Sequence, residues 1–319
     1  MSTAMIDTFE AAASRYDRSG AQFAGPVAEQ LVALAGLRPG DRVLDVGCGA
    51  GAVATRCARA VAPGGQVTGL DLSEAMLRRT AAEAAALGFG QVNTRRGDAS
   101  RPPFGPASFD VVLASLVLYL LPDTRTALRS WRELLRPGGR VGFSWGIRPD
   151  PRWSPVFGAV DAFAQRAGFE SYVRRLGPPG EMTATLAALG YTGIQVATRQ
   201  IDVHYSGPRQ WWLASWAEAP RLAWPYIPAA DRDAARRAAF ALLDQMREPD
   251  GTLVRHVQMA FATAQRPPVP CSSVPGPAAQ SAVDRAAPRT AALATRGAAP
   301  RAIQWTMPWT TQRPNGVTR

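Results

Sequence analysis

The 319-residue chain has no lysine: all 36 basic residues are arginine, set against 25 acids for a net charge of +11. A nucleic-acid binder would gather that charge into a phosphate-tracking stripe. Here residues 1–265 hold 29 arginines against 24 acids, with never more than two arginines adjacent. Residues 266–319 carry seven arginines and one acid, Asp284. With so much Ala, Gly and Pro, arginine-only usage reads as codon bias, and a nucleic-acid partner is not expected. Cysteine is equally scarce. Cys48, Cys57 and Cys271 show no C-x-x-C spacing and no partner among the two histidines, His204 and His256. That excludes a disulfide framework and a zinc site, so no metal is expected and the thiols read as reduced, as in a cytoplasmic protein. No run of about 18 uncharged apolar residues exists, so no membrane span is expected. The start, MSTAMIDTFEAAASRYDR, carries acids early and lacks the basic-then-apolar order of a secretory signal.

With 46% hydrophobic residues the chain can bury a sizeable core. From residue 40 onward it alternates between strand-like and helical stretches. RVLDVGC, VTGLDL, VNTRRGD, FDVVLASLVL and VGFSWG read as five strands. AVATRCARAVA, EAMLRRTAAEAAALG and TRTALRSWRELL read as the helices between them, with Ser73 placed as an N-cap. Helices of this length between strands predict a parallel sheet covered on both faces. GIQVATRQIDVHY and LVRHVQMAFATAQ add two long strands, expected as an antiparallel hairpin at one sheet edge. The expected architecture is α/β: a seven-stranded, mostly parallel, Rossmann-like sheet with helices on both faces, an antiparallel last strand and helical lid insertions.

Three regions are expected. Residues 1–35 form a helical cap, and 36–265 the main domain, with lid insertions at 147–180 and 207–250. Residues 266–319, rich in Pro, Ala and Arg, read as a disordered tail.

Gly47, Gly49 and Gly51 fit a G-x-G-x-G loop, and Gly47, Gly49 and Ala52 a G-x-G-x-x-A turn. Both place glycine where a strand turns sharply into a helix and a ligand approaches the backbone. Asp71 follows Gly51 by 20 residues, at the end of the second strand, where an acid accepts from ribose hydroxyls. Three features separate the two readings. Asp45 precedes Gly47 by two residues, GDA ends the third strand, and LRPGGRV introduces the fifth.

The ordered set VLDVGCGAG, GLDLS, RRGDA, FDVV and LRPGGRV resembles the class I S-adenosylmethionine-dependent methyltransferases, most closely their ubiquinone and menaquinone branch. The resemblance spans roughly residues 25–265. It implies S-adenosylmethionine as cofactor, with Gly47, Gly49 and Gly51 passing close to its methionine and ribose portions. It implies that Asp45 contacts the ammonium, Asp71 the ribose hydroxyls and Asp98 the adenine amino group. Ala99 would offer its backbone N–H to the adenine, Leu72 and Met76 would pack on its faces, and Ser115 would line the methionine end.

The acceptor side is less defined. Methyl transfer from a sulfonium is an in-line displacement, which needs chiefly proximity and orientation. No N/D-P-P-Y/F motif follows the fourth strand, and Tyr119 stands where many relatives carry histidine. Candidates facing the acceptor are Trp145, ending the fifth strand, Tyr119, His204 near the pocket mouth, and Tyr16 of the cap. His256 reads as structural. Rings at Trp153, Phe157, Trp211, Trp212, Trp216, Trp224 and Tyr226 crowd the insertions, which favours a hydrophobic acceptor and excludes water. The leading expectation is O- or N-methylation of an apolar or aromatic small molecule in secondary metabolism, by a monomer or homodimer. C-methylation of a prenyl, indole or polyketide substrate is a second reading, although the D-D-x-x-D cluster an allylic diphosphate would need is missing. An RNA or protein methyltransferase holding its target with the arginine-rich tail is a third.

Overall fold

A computed structural model describes residues 23–166, 176–216 and 223–268, together with Asp7, Phe9, Glu10, Ala13 and Gly168. Tyr16, Cys271 and residues 269–319 of the expected tail lie outside the described residues. The elements in chain order are α1 (Ala24–Leu34), β1 (Arg42–Val46), α2 (Ala52–Val61), β2 (Gln66–Asp71), α3 (Glu74–Ala86), β3 (Val92–Arg96), β4 (Phe109–Ser115) and α4 (Thr124–Leu134). There follow β5 (Leu135–Arg148), α5 (Ser154–Arg166), α6 (Pro179–Ala188), β6 (Thr192–Tyr205), α7 (Pro208–Ser215), α8 (Arg232–Asp244) and β7 (Leu253–Gln265).

The sheet has seven strands in the order β3-β2-β1-β4-β5-β7-β6. Neighbours from β3 to β5 are parallel, and β7 runs antiparallel between β5 and β6. The alternating βα sequence therefore builds the expected architecture. Strand order reverses between β1 and β4, which opens a crevice at their carboxyl ends. β1 and β4 are almost wholly buried, as strands covered on both faces must be, while β3 is the polar edge. One face packs Leu44, Val112 and Phe143 against Leu128 and Trp131 of α4 and Leu186 of α6. The other packs Val43, Val67 and Leu113 against Leu31 of α1 and Cys57 of α2.

Two boundaries differ from the sequence expectation. β5 begins directly after α4, and residues 136–139 bulge out between the pairs Phe109↔Leu135 and Val111↔Arg140. Arg266, expected in the tail, exchanges backbone hydrogen bonds with Gly138 and Gly139. Its Nη1 also donates to the carbonyls of Glu133 and Leu135, at 3.2 and 2.6 Å. A cation there satisfies carbonyls that the end of α4 leaves open, so Arg266 belongs with the domain.

β6 and β7 outrun the rest of the sheet. β5 pairs with β7 no further than Arg148↔Gln258, whereas β6 continues to Tyr205↔Leu253. Residues 201–205 and 253–257 thus form a two-stranded arm beyond the carboxyl edge. Described residues from 153–164 and from 211–243 pack against it. Val156 and Val160 of α5, Ala235, Ala239 and Leu243 of α8, and Val203, Tyr205, Trp153, Trp211 and Trp224 make a second core.

Candidate active site

The loop after β1 is where the chain is tightest. Gly47 has φ +68°, and a Cβ there would lie 2.4 Å from Cγ2 of Val117, so this position excludes any side chain. The Gly47 and Cys48 amides both donate to the Leu70 carbonyl, at 2.7 and 3.0 Å, which staples the loop to the end of β2. Gly51 lies against Thr80. Gly49 differs. Nothing stands within 4 Å of the place its Cβ would occupy, so it faces open space.

Two carboxylates meet at this loop in opposite states. Asp71 ends β2 and accepts from the Gly49 amide at 2.9 Å and the Ser73 amide at 3.0 Å. Burial raises its pKa, and those two amides together with the Leu72 amide oppose the shift. Asp45 is 1% exposed, and its Oδ2 has no hydrogen-bond partner. Its pKa is pushed up to about 8, by burial first and by the Asp71 charge second, with the Ala54 amide opposing. An orphaned buried carboxylate oxygen is costly in isolation, so this acceptor beside the glycine loop stands out among the buried polar groups.

The remaining sequence candidates divide. Asp98 is half-buried and accepts from Ser100 N at 2.8 Å. Ala99 follows it, buried, with its carbonyl held by Trp131 Nε1–H at 2.7 Å. Gly97 N donates to the Asp71 carbonyl at 3.0 Å, so the GDA loop is fixed to the end of β2. Leu72 is half-buried there. Ser115 ends β4 with its Oγ 3.2 Å from Ser144 Oγ, and half-buried Tyr119 lies in the short 3-10 turn that follows, Leu118–Leu120. Asp45, Asp71, Asp98 and Ser115 thus gather at the carboxyl edge of adjacent parallel strands.

Three expectations need correction. Met76 is fully buried behind the start of α3, so its side chain lies in the interior and not on an open groove. Trp145 is also fully buried, because the segment around α6 packs over its ring. Its ring packs 5.6 Å from Phe143, its Nε1–H donates to the Gly177 carbonyl, and it is a core residue rather than a pocket wall. His204 is exposed on the outer face of the β6–β7 arm, where alternation turns Val203 and Tyr205 inward. On that face His256 Nδ1 meets Asp202 Oδ1 at 2.7 Å, a surface pair away from the cleft.

The sequence reading missed the supports. Thr80 Oγ1–H donates to the Gly49 carbonyl at 2.7 Å, and the buried Ser144 Oγ accepts from Leu116 N at 3.3 Å. Leu116 sits at φ +60°, an unfavourable region for a leucine, directly before the Val117 that walls Gly47.

A family described as a methyltransferase domain matches residues 43–139, the stretch from β1 into β5 that holds this loop. Nocamycin O-methyltransferase of Saccharothrix syringae is 34% identical over 274 residues, covering 82% of this chain and 98% of that protein. Aklanonic acid methyltransferase DauC of Streptomyces sp. (strain C5) is 36% identical over 155 residues, 49% of this chain and 66% of that protein. Among solved structures, the YcgJ protein of Bacillus subtilis shares the fold at a TM-score of 0.52 and 18% identity, covering 76% of this chain and 99% of that one. The fold is Rossmann-like, and the chain belongs to the S-adenosylmethionine-dependent methyltransferase family. Among the described residues, no helix is long and apolar enough to cross a membrane.

Proposed function

We propose that the chain methylates an apolar or aromatic small molecule on oxygen or nitrogen, in secondary metabolism. The observation that carries this reading is the aromatic second core on the β6–β7 arm, beyond the edge where Asp45, Asp71 and Ser115 gather, whose half-buried rings Phe23, Phe157 and Tyr226 keep part of their apolar surface exposed. An acceptor held beneath such a roof meets carbon rather than water, which suits a discrete hydrophobic molecule. The names of the two relatives, nocamycin and aklanonic acid, support the same kind of acceptor.

S-adenosylmethionine, when bound, supplies a methyl group carried on a positively charged sulfur. Asp45 would hold the ammonium with its unpartnered oxygen. Asp71 would accept from the ribose hydroxyls with lone pairs left over from its two amide bonds. Asp98, Ala99 and Leu72 would take the adenine, and the open side of Gly49 would let the ligand lie against the backbone. Ser115 and Tyr119 would border the methionine end. The catalytic unit is assigned to residues 36–266, with 1–35 as its cap, and the remainder of the tail takes no part in the reaction.

Incubating the purified protein with methyl-labelled S-adenosylmethionine and a host extract, then separating small molecules, RNA and protein, tests the reading. Label is expected in an organic-soluble compound. Label confined to RNA or protein overturns it.

A further inference from the structure

Ser144 is fully buried in β5, flanked along the strand by the core residues Phe143 and Trp145. Alanine there would leave no polar group to satisfy, so the hydroxyl calls for a reason. Its described partners both lie at the end of the neighbouring strand. Ser144 Oγ accepts from the Leu116 amide at 3.3 Å and stands 3.2 Å from the Oγ of Ser115, its register partner across β4 and β5.

What this hydroxyl holds is a strained turn. Leu116 stands at φ +60°, where a Cβ crowds the backbone, and such a conformation persists only where its surroundings impose it. The other described non-glycine residue in this region, Ala107, is exposed in the loop before β4, whereas Leu116 lies at the crevice between β1 and β4. The strain has a consequence at the glycine loop. The register Asp45↔Leu113 brings Gly47 and Ser115 out of the sheet at the same level. The turn at Leu116 then lays Val117 on Gly47, where an added Cβ would lie 2.4 Å from Val117 Cγ2. Gly47 is thus held twice, by the Leu70 carbonyl on its amide and by Val117 on its open face. The second hold depends on a residue of β5, two strands away from β1.

Resting on the assignment of S-adenosylmethionine to this loop, we propose that Ser144 is a positioning residue for the cofactor. Its hydroxyl keeps Leu116 left-handed, which keeps Val117 against Gly47 and sets the loop in its binding geometry before a ligand arrives. Ser144 itself touches no ligand.

Calorimetry with S-adenosylhomocysteine on the full chain tests this through a double-mutant cycle. Ser144→Ala is expected to weaken binding at least fivefold. Glycine adopts a positive φ without the Cβ penalty, so in the Leu116→Gly background the turn no longer needs the hydroxyl. There the same Ser144→Ala change is expected to cost less than twofold. A serine that only stabilises the fold would lower the melting temperature and leave the affinity of the folded protein alone. Unchanged affinity in Ser144→Ala therefore overturns the proposal, and so does an equal loss in both backgrounds. Should Ser144→Ala not fold, Val117→Ala keeps both hydroxyls and the turn. It is expected to weaken S-adenosylhomocysteine at least threefold, and unchanged affinity there overturns the proposal too. Asp71→Asn separates the two readings. If it weakens binding while Ser144→Ala does not, the brace alone falls. If neither variant weakens binding, the ligand does not lie at this loop and the brace falls with that assignment.

Discussion

Lowering the pH should weaken cofactor binding through a single carboxyl. Asp45 in the free protein has its pKa pushed up to about 8 by burial and by Asp71, so near neutrality it is mostly protonated. Holding an ammonium requires the ionised form. Each pH unit below 8 then costs about 1.4 kcal/mol, a factor of about ten in affinity. Between pH 8, where half of Asp45 is already protonated, and pH 6.5 the affinity for S-adenosylhomocysteine should fall about 15-fold, with close to one proton released per ligand bound near pH 7. Titration calorimetry in two buffers of different ionisation heat measures that proton directly. Folding stability moves the opposite way. A carboxyl raised from 3.8 to about 8 favours the folded state most at low pH. That contribution is lost as pH rises from about 4 to 8, amounting to about 6 kcal/mol at most. Asp45→Asn should therefore melt higher than the unaltered protein at pH 8, bind the cofactor more weakly, and show no pH dependence between 6.5 and 8. A flat affinity profile in the unaltered protein, or proton uptake on binding, refutes the assignment of Asp45 to the ammonium.

Other consequences are structural. Trp145→Ala should cost about 3–5 kcal/mol in urea unfolding, the penalty for emptying a buried indole site, while Trp145→Phe should cost much less. A selective loss of acceptor binding at unchanged stability would return Trp145 to the pocket wall. Ending the chain after Pro268 should leave the urea midpoint unchanged. Ending it after Gln265 removes the Arg266 bonds to the end of α4 and should cost about 1–2 kcal/mol, and equal midpoints would show that this cap contributes nothing.

How legible these features were depends on how far apart their partners lie. The glycine loop and Asp71 belong to one βαβ unit, where fixed element lengths translate spacing into position, so their places after β1 and at the end of β2 could be read from spacing alone. The outward turn of His204 was also readable. Ile201, Val203 and Tyr205 alternate with Asp202 and His204, which puts the histidine on the polar face of its strand. Trp145 was misplaced because β5 runs on to Arg148, and the segment around α6 that packs over the ring comes from a distant part of the sequence. Ser144, Thr80 and Val117 left no signal at all. Each acts on a partner in another element, and a serine in a strand or a threonine in a helix has no pattern that names its partner. Arg255 interrupts an apolar run visibly, yet only the folded arm brings Phe23, Trp153, Phe157 and Tyr205 around it.

The contrast between Asp45 and Asp71 leads to one more test. Asp71 already accepts two backbone amides, and Thr80 holds the Gly49 carbonyl, so the loop stands in place before any ligand arrives. Preorganisation of this kind limits the ordering cost of binding. Asp71→Asn replaces the carboxylate with a weaker acceptor at the loop and also removes half of a charged pair for the ribose hydroxyls. It should weaken S-adenosylhomocysteine by about 1.5–3 kcal/mol and speed hydrogen exchange at the Gly49 amide in the free protein. Asp45→Asn should leave that amide unchanged, since Asp45 Oδ2 has no hydrogen-bond partner in the loop. If both variants accelerate exchange equally, the loop is held by the two charges jointly, and the separation of a holding carboxylate from a binding one fails.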